Sequence, residues 1–142
     1  MTERTSEAQW EGTLKDGKGR FWTGSGEVSG VYSFGTRFED RDGTNPEELI
    51  GAAAAGCFSM ALAGDLEEAG YRPETVRAVA AVTLAKGDAG YEITGIDLDA
   101  QAQVDGIDEG EFRRIADGTR VGCPISRALA AVPIRLQASL VS

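Results

Sequence analysis

Apolar and polar residues alternate along TVRAVAAVTLAKG (75–87) and YEITGIDLDAQAQV (91–104), on either side of the turn GDAG. A period of two places one face of each stretch against a core, so the pattern predicts two long hairpin strands. AQWEGTL and GRFWTGSG flank the turn KDGKG near the start of the chain, and GVYSFGTRF follows with alternating aromatic residues. These predict an antiparallel three-strand meander over residues 8–38. The pattern then changes. Asn45 is a candidate N-cap, Pro46 fits the first helical position and Glu48 stands three residues after the cap, so a helix is expected to run to about Ala69, stopped by Gly70 and Pro73. DEGEFRRIADGTR predicts a short helix with acidic residues at its start, CPISRALAAV a further helix ended by Pro133, and IRLQASLVS a closing strand. Strands, helix, strands, helices and strand in that order make an α+β pattern, and 142 residues without a linker or repeat predict one domain over 1–142.

Composition narrows the functional classes. A net charge of −9 and the lack of any Lys/Arg cluster disfavour nucleic acid as a partner. MTERTSEAQW is polar and mixed in charge, unlike a signal peptide, and no apolar run is expected to reach the roughly 20 residues of a membrane span. The expected compartment is therefore the cytoplasm, with no membrane partner. The chain has no His, which removes Ser-His and Cys-His nucleophile pairs and most zinc and haem sites.

The two cysteines stand in different contexts. Cys57 lies in GAAAAGCFSMALAG, a run of small residues whose short side chains let another backbone approach closely; on this reading alone it packs as a small hydrophobe. Cys123 precedes Pro124 at an expected helix start, where free N–H groups favour a thiolate, so residue-level reasoning makes it the more activated thiol. A nucleophilic cysteine here needs a nearby cation, because a thiol with a pKa of about 8.5 is only slightly ionised at neutral pH. Arg20, Arg37 and Arg41 are the upstream candidates. Glu47 and Glu48 are equally explained by the preference of a first helical turn for acidic residues.

TRFED, then NPEELIGAAAAGCFSMALA, then GCPISRAL at a cysteine separation of 66 residues, together resemble the OsmC/Ohr family of thiol-dependent hydroperoxide reductases. The likeness runs from AQWEG and KGRF through GIDEGEF to IRLQASL. It implies an OsmC-like fold, with antiparallel sheets packed around a central cysteine-bearing helix, in an intertwined homodimer whose active sites form between subunits. It also implies a peroxidase that needs no metal or flavin cofactor and is reduced by an external dithiol, of lipoyl type in some relatives.

By the same resemblance Cys57 is the peroxidatic thiol, Cys123 the resolving thiol, Arg37 the cation that stabilises the thiolate, and Glu47 the carboxylate that holds the arginine. An Ohr-like arrangement would use Arg20 instead, but FGTRFED is similar to the OsmC branch. Where relatives often carry a His three residues before the first cysteine, this chain has Ala54. A continuous helix would set Glu47 about 15 Å from Cys57 at roughly 1.5 Å per residue, so a break or kink near Gly51 is expected. Phe58, Met60, Phe34 and Phe38 are expected to line an apolar substrate pocket. Two other classes remain open: a non-catalytic dimeric module binding a small apolar ligand, and a general thiol-disulfide oxidoreductase, the latter weakened by the absence of C-x-x-C.

Overall fold

The computed structural model describes residues 1–141, and the chain divides into two compact units, Met1–Glu48 and Leu49 onward. In the first unit, β1 (Ser6–Glu11), β2 (Lys18–Thr23) and β3 (Ser29–Tyr32) form the antiparallel meander in the order β1-β2-β3. Gly19 stands opposite both Trp10 and Tyr32, and a Cβ there would come within 2.7 Å of each ring. Its missing side chain lets the two aromatics close over the strand, with ring centroids 5.6 Å apart.

The third strand is shorter than its alternation suggested. FGTRF is a helix, α1 (Phe34–Phe38), opened by a reciprocal capping box: Thr36 N–H donates to Ser33 Oγ and Ser33 N–H donates to Thr36 Oγ1. The aromatic spacing of Phe34 and Phe38 is thus an i,i+4 pair on one helical face, their ring centroids 5.0 Å apart.

The second unit is built on a sheet ordered β4-β5-β6, comprising β4 (Pro73–Gly87), β5 (Gly90–Val104) and β6 (Ile134–Leu140). The hairpin expected from residues 75–104 is present, and Val76, Ala78 and Ala80 pair with Ala102, Ala100 and Leu98. The expectation of purely antiparallel sheets is corrected here, since β6 runs parallel to β5. Two helices, α3 (Glu109–Gly122) and α4 (Pro124–Ala128), return the chain to the end of β5 at which that strand began, and such a crossover makes the next pairing parallel. Asp108 caps α3 by accepting from Glu111 N–H. The helix expected over 123–132 contracts to the five residues of α4.

The long helix α2 (Pro46–Glu68) is continuous. No break occurs near Gly51, where a Cβ would meet Ala80 O and Val82 only at ordinary contact distance, so the helix lies over β4 without interruption. Asn45 Oδ1 accepts from Glu48 N–H at 2.8 Å, and at the other end Gly70 adopts a φ of +95° while Tyr71 N–H donates to Leu66 O. Replacing Asn45 with Ala is expected to lower stability by about 1 kcal/mol, read as a lower urea midpoint; an unchanged midpoint would show that the cap is dispensable.

Phe58, Leu62 and Leu66 form the buried stripe of α2, packed with Leu98, Ala100, Ala102, Val104 and Phe112. The opposite stripe, Ala53, Gly56, Met60 and Gly64, is exposed. α2 has 23 residues, an 18-residue window within it has a mean hydropathy of 1.6, and no charged residue occurs from Leu49 to Gly64, so by length and composition it is apolar enough to cross a membrane, which corrects the expectation that no run is. Its large side chains pack into a protein core, as those of a core helix do.

Candidate active site

Four of the residues singled out by the sequence meet as two pairs, one in each unit. In the first, α1 carries Arg37 in its last turn and α2 carries Glu47 in its first. Arg37 donates to Glu47 Oε1 from Nε at 3.0 Å and from Nη2 at 2.9 Å. Asn45 Nδ2 donates to Thr36 O, tying the start of α2 to α1 and fixing the distance the guanidinium spans. Glu47 is 7% exposed, and its Oε2 has no hydrogen-bond partner among the described residues. A buried carboxylate is costly unless it is paired, and Arg37 supplies the pairing charge.

Arg37 is half-exposed, with its Cζ 5.1 Å from the Phe38 ring centroid. Together with Trp10, Leu14, Tyr32, Phe34 and Phe38 it lines a cavity of about 380 Å³. A guanidinium among aromatic walls suits a small molecule with one apolar end and one polar end. Arg20 has a different setting: it is exposed on β2, its Cζ 5.9 Å from the Trp22 ring.

The second pair consists of the cysteines, both free thiols. Cys57 projects from the middle of α2, between the buried and exposed stripes. Cys123, 3% exposed, ends α3 and opens α4. Across 66 residues of sequence the two thiols lie close enough to influence one another's ionisation, and the Ile125 backbone N–H lies near Cys57. Burial is the largest influence on the Cys57 thiol and pushes its pKa up; the Ile125 N–H opposes that, and contact with Cys123 adds to it. Cys123 stands at the start of α4 as expected, but its side chain makes no capping bond there. Instead its Sγ lies 3.0 Å from Ser126 Oγ.

The four pocket residues expected from the sequence separate. Phe34 and Phe38 line the cavity beside Arg37. Phe58 does not line a pocket: at 0% exposure it is closed inside the core of the second unit, because its place on α2 falls on the buried stripe. Met60, 82% exposed, lies on the open stripe of the helix. Trp10, Leu14 and Tyr32 were missed as cavity residues; the pairing of Trp10 and Tyr32 across Gly19 depends on strand register, which short aromatic-rich strands leave open. Among the described residues no cluster of three or more metal-ligating side chains occurs.

The fold and the order of these motifs define the class. The chain belongs to the OsmC-like protein family, whose model matches residues 39–137, covering α2, the hairpin and both cysteines. It is 49% identical over 129 residues to Peroxiredoxin OsmC of Escherichia coli, covering 90% of each chain. Among solved structures, the organic hydroperoxide resistance protein OhrB of Bacillus subtilis superposes with a TM-score of 0.74 at 22% identity, covering 95% of this chain and 98% of that one. An organic hydroperoxide resistance protein from Elizabethkingia anophelis gives 0.78 at 21% identity, covering 99% of both. At those identities the two structures establish the α+β fold.

Proposed function

We propose that this protein is a cysteine-based hydroperoxide reductase, acting through a reversible disulfide between Cys57 and Cys123. The observation that carries this reading is the contact between two thiols far apart in sequence, one half-buried on α2 and one buried beside it. The names of its relatives, Peroxiredoxin OsmC and organic hydroperoxide resistance protein, point to the same chemistry.

In the first step Cys57 thiolate attacks the distal oxygen of ROOH. The O–O bond breaks, the alkoxide takes a proton and leaves as ROH, and Cys57 becomes a sulfenic acid. Cys123 thiolate then attacks the Cys57 sulfur, the S–S bond forms, the S–O bond breaks, and hydroxide leaves as water with the proton released by Cys123. An external dithiol returns the disulfide to two thiols by exchange and is itself oxidised. A lipoyl-type dithiol is one candidate, and a reducing cytoplasm the compartment in which a reversible pair is useful.

A thiol whose pKa is raised by burial needs a cation delivered to it. The reading assigns that task to Arg37, held by Glu47, in a homodimer where the Arg37 of one subunit serves the Cys57 of the other. Glu47 and Cys57 are ten positions apart on α2, about 15 Å of rise along a helix, and the reading has the cation come from a second copy. Only 28% of the apolar window of α2 is buried within one chain, and its exposed stripe of small residues suits a close-packed partner helix of the same kind. The apolar cavity beside Arg37 would take the organic part of the peroxide.

Titrating thiols before and after one equivalent of cumene hydroperoxide tests the reading. Loss of both thiols as an intramolecular disulfide is expected, whereas unchanged thiols would leave a module that only binds an apolar ligand. Because the cavity buries an apolar group that hydrogen peroxide lacks, kcat/KM for cumene hydroperoxide is expected to exceed that for hydrogen peroxide by about tenfold or more. Equal values in steady-state assays would remove the basis for the preference.

A further inference from the structure

The first turn of α4 offers few groups from which a hydrogen bond could reach the thiol pair, and they are not equivalent. Pro124 has no N–H. The Ile125 N–H lies near Cys57. What remains for Cys123 is the hydroxyl of Ser126, 3.0 Å from its Sγ, with both residues buried at 3% and 7% exposure. The Cys123 side chain makes no capping bond to the backbone of α4, and its sulfur neighbours both Cys57 and Ser126.

We propose that Ser126 is a positioning residue for the resolving thiol: its hydroxyl holds Cys123 Sγ toward Cys57 and donates to the Cys123 thiolate while it attacks the Cys57 sulfenic acid. This rests on the peroxidase reading above. A buried thiolate without a donor is costly, and the resolving step needs Cys123 deprotonated in a place that water scarcely reaches. In that step Cys123–SH and Cys57–SOH give the disulfide and one water; the proton lost by Cys123 leaves with the hydroxide, so Ser126 neither gains nor loses a proton. The titratable group facing Cys123 from α2 is Cys57. The neighbouring charges are Arg120 on α3, engaged with Asp117 Oδ1 at 2.9 Å and with Ile134 O at 3.2 Å, and Arg127 on α4, which is exposed. The serine hydroxyl is therefore the donor already in place.

The test follows one turnover. Wild type, Ser126→Ala and Ser126→Thr are each mixed with one equivalent of cumene hydroperoxide across a pH series; sulfenic acid is trapped with dimedone and disulfide is quantified by mass spectrometry against time. In Ser126→Ala the ratio of disulfide formation to sulfenic acid formation is expected to fall about tenfold at pH 7, as for loss of one hydrogen bond to a charged group, with the pH midpoint of disulfide formation moved upward. Ser126→Thr, which keeps the hydroxyl, is expected to restore both. A ratio and midpoint in Ser126→Ala equal to those of wild type would overturn the role of Ser126 while leaving the peroxidase reading intact. A slower step in Ser126→Ala without a shifted midpoint, left unrescued by Thr, would also overturn it, marking a packing effect. Absence of any disulfide in wild type would overturn both.

Discussion

Cys57→Ser is expected to lower peroxide turnover to the uncatalysed rate, a loss of at least about 10³-fold, because a hydroxyl at this position has no accessible anion and cannot accept the peroxide oxygen reversibly. Cys123→Ser should behave differently. It keeps the attacking thiol, so it should consume close to one equivalent of hydroperoxide and then stop with Cys57 as the sulfenic acid, since no second thiol lies against it. Burst measurements with cumene hydroperoxide distinguish the two variants, and neither substitution removes much packing volume. Turnover by Cys57→Ser at even a tenth of the wild-type rate would assign the chemistry elsewhere. If Cys123→Ser alone lost the burst, the two roles would be reversed, in line with the helix-start argument.

Arg37→Ala should reduce kcat/KM for organic hydroperoxides by about 10² at neutral pH, since a cation beside a thiol lowers its pKa by roughly 1 to 3 units and the rate follows the thiolate fraction. The sign is fixed by the burial of Cys57. Without the cation only the Ile125 N–H opposes the upward push of burial, so the pH midpoint of reactivity moves up and the variant recovers rate as the medium becomes alkaline. Arg37→Lys should retain more activity than Ala but less than wild type, because an ammonium lacks the planar pair of donors that reaches Glu47 Oε1 twice. Arg20→Ala should stay within about twofold, its side chain being a surface group over Trp22. The reverse pattern, with Arg20 essential and Arg37 dispensable, would sink the assignment.

The same variants report where the site is assembled. Chains carrying Arg37→Ala and chains carrying Cys57→Ser, refolded together in equal amounts, should regain about a quarter of wild-type activity: half the dimers are mixed, and each mixed dimer has one complete site. If Arg37 and Cys57 of the same chain worked together, mixing would restore nothing.

The clearest sequence patterns were those whose cause is local. Strict alternation over 75–104 marked the hairpin, and Asn45, Pro46 and Gly70 marked the limits of α2, because caps, proline and a left-handed glycine act within a turn of where they stand. FGTRF was misread as strand: a spacing of four between Phe34 and Phe38 fits either period over so short a run, and the deciding feature, the Ser33–Thr36 capping box, belongs to the polar residues set between the aromatic ones. Gly51 looked like a place for α2 to break, yet a single glycine inside a helix costs only about 1 kcal/mol and packing over β4 outweighs it. Phe58 sat in the cysteine motif and read as a pocket wall until the buried stripe of α2 put it in the core.

By itself, then, the sequence determined the α+β class, the hairpin, the bounds of the long helix and the residues able to do thiol chemistry, since these depend on residue type and short-range spacing. Only the tertiary structure decided that β6 pairs parallel to β5, that Arg37 holds a buried Glu47, and that Cys57 meets Cys123 with Ser126 behind it. Those outcomes depend on how separate elements bury their apolar faces together, an energy summed over many distant side chains that no short stretch of sequence contains.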